Sequence, residues 1–249
     1  MAFVTNRGVS IYFQTMGEGS PLVLLHGLGG SGSDWIDLGY VDALKDRHQV
    51  ILIDARGHGK SDKPHDPAAY DLAVRASDVV AVLDDLGHKT SDFFGYSMGG
   101  TTTYGLANYF SERIGSVIIG AAHPYAESLQ PFRDLFPHDQ AALAAAIDKI
   151  FGHLVPAAWR NRLVANDVIA IHLSARDRQS MADDVLPKMS MPCLLFVGEL
   201  DPRLAAVQKC ASQLRKATLL TLPGCDHMTA LGQAEAVVTH INSFLASRH

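Results

Sequence analysis

Ser97 stands in Gly95-Tyr96-Ser97-Met98-Gly99, directly after the apolar run Asp92-Phe93-Phe94 and before a stretch of helical character. A strand that turns this abruptly into a helix crowds the side chains on either side of the turn, and Gly95 and Gly99, lacking a Cβ, relieve that crowding. Such a turn holds the hydroxyl above a sheet, at a helix N-terminus whose dipole favours developing negative charge. In a chain with 21 glycines, G-x-S-x-G also arises by accident. Its place between strand and helix, more than its letters, marks Ser97 as a nucleophile.

A hydroxyl attacks a carbonyl only when a base takes its proton. Among 12 histidines, His227 is the expected base: it follows the apolar run Leu219 to Leu222 in the loop Pro223-Gly224-Cys225-Asp226-His227, just before the last helix. An imidazole in this role needs an acceptor on its far nitrogen. Asp201, in Gly198-Glu199-Leu200-Asp201-Pro202 after another apolar run, supplies the chain order Ser, Asp, His. Glu199 and Asp226 compete for the part; Asp226 adjoins His227 and would strain to reach its ring.

The glycine-rich His26-Gly27-Leu28-Gly29-Gly30-Ser31-Gly32 follows Leu22-Val23-Leu24-Leu25 and leaves backbone N–H groups free to face a ligand. The N–H groups of Leu28 and Met98 are the expected oxyanion hole. A phosphate loop is the competing reading, but the lysine of G-x-x-x-x-G-K-[ST] is missing. Asp54-Ala55-Arg56-Gly57-His58-Gly59-Lys60-Ser61-Asp62 reads as a buried polar turn that ties loops together, with His58 and His26 structural rather than catalytic.

The elements that must position these groups show a regular rhythm. Phe3-Val4 and Val9 to Phe13, separated by Asn6-Arg7-Gly8, suggest an opening antiparallel hairpin at a sheet edge. Apolar runs then recur at Leu22 to Leu25, Val50 to Ile53, Phe93-Phe94, Val117 to Ile119, Leu194 to Val197 and Leu219 to Leu222, most with helical stretches between them. That alternation is the signature of a parallel sheet covered by helices on both faces. Helices are expected over Asp71 to Gly87, Trp35 to Lys45, Met98 to Phe110, Pro202 to Lys216 and Ala234 to Leu245. Between Ala122 and Met191 the strand rhythm lapses into Ala-rich helical sequence. We read residues 123–191 as a helical cap inserted in a core of residues 1–122 and 192–249. A cap would roof the pocket over Ser97, and Leu28, Tyr96, Met98, Tyr125, Phe132, Phe136, Phe151 and Trp159 are its candidate walls, each of which ordinary core packing would also explain.

The 249 residues are 47% hydrophobic and 19% charged with a formal net charge of -5, which suits a soluble globular chain and offers no basic surface for nucleic acid. Three cysteines without C-x-x-C spacing argue against a disulfide framework or thiolate metal site and fit a cytoplasmic protein. Neither a leader nor a membrane span is expected.

The set His26-Gly27-Leu28-Gly29-Gly30, Asp54-x-Arg56-Gly57-His58-Gly59-x-Ser61, Gly95-Tyr96-Ser97-Met98-Gly99-Gly100, Gly198-x-x-Asp201 and Asp226-His227, in this order, resembles the α/β-hydrolase superfamily over nearly the whole chain outside the cap. The resemblance implies a mostly parallel eight-stranded sheet with helices on both faces, no metal or organic cofactor, and turnover through an acyl-serine. It points most closely to small esterases, lactonases and enol-lactonases acting on a small-molecule ester. Carbon–carbon bond hydrolases and cofactor-free perhydrolases share the same marks, as do ligand-binding receptors with slow turnover. Ser97 argues against the dehalogenase branch, which has aspartate there. A homodimer is left open.

Overall fold

The computed structural model describes residues 2–134, 136–151 and 157–246, without the side chains of Ile150 and Phe151. Eight strands form one sheet in the order β1-β2-β4-β3-β5-β6-β7-β8. They are β1 (Ala2–Asn6), β2 (Val9–Met16), β3 (Ser20–Leu25), β4 (His48–Ile53), β5 (Ser91–Tyr96), β6 (Ile114–Gly120), β7 (Cys193–Gly198) and β8 (Ala217–Leu222). β1 pairs with β2, and β2 with β4, antiparallel; every later pairing is parallel. The expected hairpin therefore does form the edge.

The continuous apolar runs have a direct structural cause. Along each central strand, alternate residues point to opposite faces, and both faces are covered. Val23, Ile51, Phe93, Ile119 and Leu195 join one buried cluster, whereas Leu22, Leu24, Leu52, Phe94 and Phe196 join the other. The first layer is built with α3 (Leu72–Asp85), α4 (Met98–Tyr109) and α10 (Leu204–Gln213); the second with α1 (Gly32–Asp37), α2 (Tyr40–Leu44), α11 (His227–Leu231) and α12 (Ala234–Ala246). The single helix expected over Trp35 to Lys45 is two helices. The chain breaks at Gly39, whose φ of 83° no helix accommodates.

Between β6 and β7 lie α5 (Gln130–Arg133), α6 (Leu143–Phe151), α7 (Ala157–Val164), α8 (Val168–Ser174) and α9 (Ala182–Val185). Phe136, Leu143, Ile147, Leu163, Val168 and Ile171 form a separate buried cluster there, with Leu28 and Trp159 packed against it. Strand order reverses at β3, which has β4 on one side and β5 on the other. In an open parallel sheet, the crevice beyond the carboxyl ends of the strands at such a point is where ligands bind.

Candidate active site

Ser97 occupies the turn between β5 and α4 with φ 54° and ψ −109°, a left-handed conformation that costs a non-glycine residue about 1–3 kcal/mol. Its N–H donates to the Gly120 carbonyl at 2.8 Å, and its own carbonyl accepts the Thr101 N–H at 2.9 Å, so strand and helix both hold the strained residue. The flanking glycines are steric necessities. A Cβ on Gly99 would lie 2.0 Å from the Leu25 carbonyl oxygen at the end of β3, and one on Gly95 would lie 2.4 Å from the Gly99 carbonyl oxygen.

His227 Nε2 is 3.0 Å from Ser97 Oγ, and His227 Nδ1 is 2.7 Å from Asp201 Oδ2. These two partners place the ring proton on Nδ1 and leave Nε2 as an acceptor. Asp201 Oδ1 accepts the Arg203 N–H at 2.8 Å. Burial by itself would raise the Asp201 pKa, but the hydrogen bond and charge of His227, the Arg203 amide and the Arg203 charge bring it below the ordinary carboxylate value. The carboxylate is thus held ionised beside the imidazole.

Two loops joined along their backbones set this distance. Glu199 N–H donates to Leu222 O at 2.9 Å, and Leu200 N–H to Cys225 O at 2.8 Å. A Cβ on Gly198 would meet Cys225 O at 2.2 Å, so the glycine lets the histidine loop lie against the end of β7. His227 is not in an open loop but is the first residue of α11, capped by Asp226, whose carboxylate accepts the Met228 and Thr229 N–H groups. That duty removes Asp226 as a rival to Asp201. Glu199 is removed likewise, because it is exposed and accepts the Gly224 N–H at 2.9 Å. Tyr96 Oη donates to the His227 carbonyl at 2.5 Å from beneath the ring.

A cluster of charged residues that the sequence reading did not single out surrounds this triad. Arg203 Nη1 lies 3.2 Å from His227 Nε2, 3.3 Å from its Nδ1 and 3.5 Å from Ser97 Oγ, over the imidazole rather than in its plane. Its Nε donates to Glu127 Oε1 at 2.6 Å, and its guanidinium stacks 5.0 Å from the Phe132 ring centroid. Glu127 also pairs with Arg178, and the two residues exchange backbone hydrogen bonds as an isolated bridge. Buried His123 faces Glu127 from 3.9 Å, and burial followed by the charges of Arg178 and Arg203 lowers its pKa to about 4.

Two spaces open on Ser97. The larger has a volume of about 410 Å³, and Leu28, Tyr96, Phe132, Phe136, Trp159 and His227 are among its walls. Trp159 Nε1 is buried there and has no hydrogen-bond partner among the described residues. The smaller, about 30 Å³, is bounded by Leu28, Met98, Thr101, Arg75, Arg178 and Arg203, among others. Leu28 and Met98 both flank Ser97, and Met98 as the first residue of α4 has one of the N–H groups that no carbonyl within the helix can reach. Gly27 brings the β3 loop against the serine, since a Cβ there would lie 3.7 Å from Ser97 Cβ.

Of the other expected walls, Tyr125 lines neither space: its hydroxyl donates to Gln213 Oε1 at 2.5 Å and Lys209 covers its ring. The Phe151 side chain lies outside the described residues. Arg56 has the structural role read for it, gripping buried Asp78 through Nε and Nη2 at 2.6 Å each. His26 Nε2 accepts the Ala55 N–H at 3.0 Å, and His58 is wholly buried against it.

Residues 22–240 match the family model described as the alpha/beta hydrolase family. The chain is 26% identical to a bifunctional esterase/perhydrolase of Acinetobacter calcoaceticus, over 99% of this chain and 100% of that protein. It is 35% identical to a 3-oxoadipate enol-lactonase of Acinetobacter baylyi over 47% of this chain and 43% of that one. The crystal structure of the enol-lactonase from Burkholderia xenovorans LB400 superposes with a TM-score of 0.84 at 24% identity, covering 98% of this chain and 100% of that chain.

Proposed function

This chain belongs to the alpha/beta hydrolase family, and from that premise we propose that it is a serine hydrolase that cleaves a small carboxylic ester or lactone through an acyl-serine. The observation that carries the reading is the relay of contacts from Ser97 Oγ to His227 Nε2 at 3.0 Å and from His227 Nδ1 to Asp201 Oδ2 at 2.7 Å.

In this mechanism Ser97 Oγ attacks the carbonyl carbon as its proton passes to His227 Nε2, while Asp201 stabilises the imidazolium. The N–H groups of Leu28 and Met98 receive the oxyanion; removing one such donor costs about 3 kcal/mol of barrier in comparable enzymes. His227 then returns the proton to the departing alkoxide oxygen, and the ester C–O bond breaks to leave the acyl-serine. Water repeats the sequence: it adds to the acyl carbon, its proton goes to His227 and then to Ser97 Oγ, and the acid is released. Residues 123–191 act as the cap over this centre, with Phe132, Phe136 and Trp159 shaping the space for substrate. The three cysteines are free and buried, in keeping with a cytoplasmic setting.

Mixing the protein with p-nitrophenyl acetate or butyrate should give a burst of nitrophenolate followed by steady turnover, and Ser97→Ala should show neither while unfolding at the same urea concentration. A Ser97→Ala protein that retained the wild-type burst would refute the assignment.

A further inference from the structure

The charge around the smaller recess does not balance within the protein. Arg75, Arg178 and Arg203 all border it. Glu127 pairs with both Arg178 and Arg203. Asp201 is committed to His227, and Asp78 to Arg56. Among the described residues no carboxylate lies within ion-pair distance of Arg75, which donates instead to the Met98 carbonyl at 3.1 Å and to Thr102 Oγ1 at 2.7 Å. Three guanidinium groups thus share one ion-pair partner, Glu127, and even with Asp78 and Asp201 acting on Arg75 and Arg203 at longer range, the four cations Arg56, Arg75, Arg178 and Arg203 face three carboxylates. Burial of unpaired charge is costly unless a counter-ion completes the site.

We infer that this recess receives a carboxylate carried on the acyl portion of the substrate, with Arg178 and Arg75 as its ligands and Arg203 at the entrance. The assignment rests on the ester-cleaving reading and adds the substrate's charge to it. The side on which the carboxylate lies follows from His227. A leaving group must depart where His227 can protonate it, and His227 borders the large cavity but not the recess. The acyl chain therefore points the other way, toward the arginines.

Its length is short. Arg178 Nη1 donates to Thr101 Oγ1 at 2.5 Å, and Thr101 is one helical turn, about 5.4 Å of rise, beyond Ser97. A recess of about 30 Å³ takes a group of only a few atoms. A half-ester of a dicarboxylate such as succinate or glutarate fits both limits. Burial, then the charges of Arg203 and Arg75, pulls the Arg178 pKa down to about 9, and burial, against the opposing charge of Asp78, pulls Arg75 down to about 10. An anion between them would relieve that repulsion.

The test compares mono-p-nitrophenyl glutarate with neutral p-nitrophenyl valerate. Wild type should prefer the charged ester by tenfold or more in kcat/KM. Arg178→Met and Arg75→Met should each lower that ratio by about tenfold to a hundredfold, as expected for losing a hydrogen bond to a charged group. Calorimetry with glutarate and with neutral glutaramide on the Ser97→Ala protein reads the same site without turnover; glutarate alone should bind, and Arg178→Met should abolish binding. Hydrolysis of both esters at equal rates, with no binding of glutarate, would overturn the inference and leave the esterase reading intact. Glutarate binding without a burst from either ester would do the reverse. Should an Arg→Met variant fail to fold, the wild-type ratio and the glutarate titration still decide.

Discussion

Asp201→Asn removes one charge at nearly constant volume, and its consequence follows from which way the new amide must face. Asp201 Oδ1 accepts from the Arg203 amide at 2.8 Å while Oδ2 faces His227 Nδ1 at 2.7 Å. A backbone N–H can only donate, so the asparagine carbonyl oxygen stays on the Arg203 side and its NH₂ turns to His227. The NH₂ is also a donor, so Nδ1 must accept and the ring proton moves to Nε2, 3.0 Å from Ser97 Oγ. The ring then offers the serine a proton instead of taking one. In serine hydrolases this tautomer error costs about 10⁴ in kcat, or about 5.5 kcal/mol at 1.36 kcal/mol per decade. Stopped-flow measurement of the nitrophenolate burst near neutral pH should show acylation slowed by that factor, with the rate rising again in alkali as hydroxide takes over the deprotonation. Urea unfolding serves as the control for the fold. An acylation rate within tenfold of wild type, in a protein of unchanged stability, would refute the claim that Asp201 sets the tautomer of His227.

Gly99→Ala puts a Cβ 2.0 Å from the Leu25 carbonyl oxygen, so α4 must move off the end of β3; a loss of at least about 1–3 kcal/mol and a collapse of the burst are expected, read by urea unfolding and stopped flow. Tyr96→Phe deletes the hydroxyl that donates to the His227 carbonyl, and losing that hydrogen bond should lower stability by about 0.5–1.5 kcal/mol, or about 2–4 °C of melting temperature for each kcal/mol in a chain of this size. Mild acid should destabilise the protein. Burial and neighbouring positive charge hold His123 at about 4 against 6.5 for a free histidine, and burial, with the charge of His26, holds His58 well below 6.5. Between those values the unfolded chain binds more protons than the native one, so stability that is full above 6.5 falls as pH drops toward about 4, by on the order of 3 kcal/mol from His123 alone. Urea midpoints that do not change between about pH 7 and pH 5 would count against it.

The fold was legible because its strands are buried on both faces and so appear as unbroken apolar runs, and Gly87, with φ 75°, closes α3 where the sequence suggested. The errors are local. Trp35 to Lys45 carries apolar residues on both sides of Gly39, and the pattern alone does not reveal that the chain turns there. The short α11 escaped notice, although Asp226 with Thr229 three residues on is a capping signal that would have placed His227 at a helix start. Tyr125 looked like its aromatic neighbours, but it lies in an irregular stretch between β6 and α5, where no periodicity tells which way a side chain faces, and it packs onto α10.

What was hidden is of a different kind from what was visible. Ser97, His227 and Asp201 must be delivered by the backbone: a positive φ at the serine, and approaches so close that only glycine fits at Gly95, Gly99 and Gly198. Constraints on the backbone act on neighbouring residues, so they leave short, readable motifs. Arg75, Glu127, Arg178 and Arg203 reach the same point with long side chains from α3, from the two ends of the segment between β6 and β7, and from the turn before α10. Such reach imposes no spacing, and each of these residues taken singly looks like ordinary surface charge. The bond-breaking apparatus proposed for this chain is therefore written in its turns, while the side chains inferred to choose among substrates meet only in the folded structure.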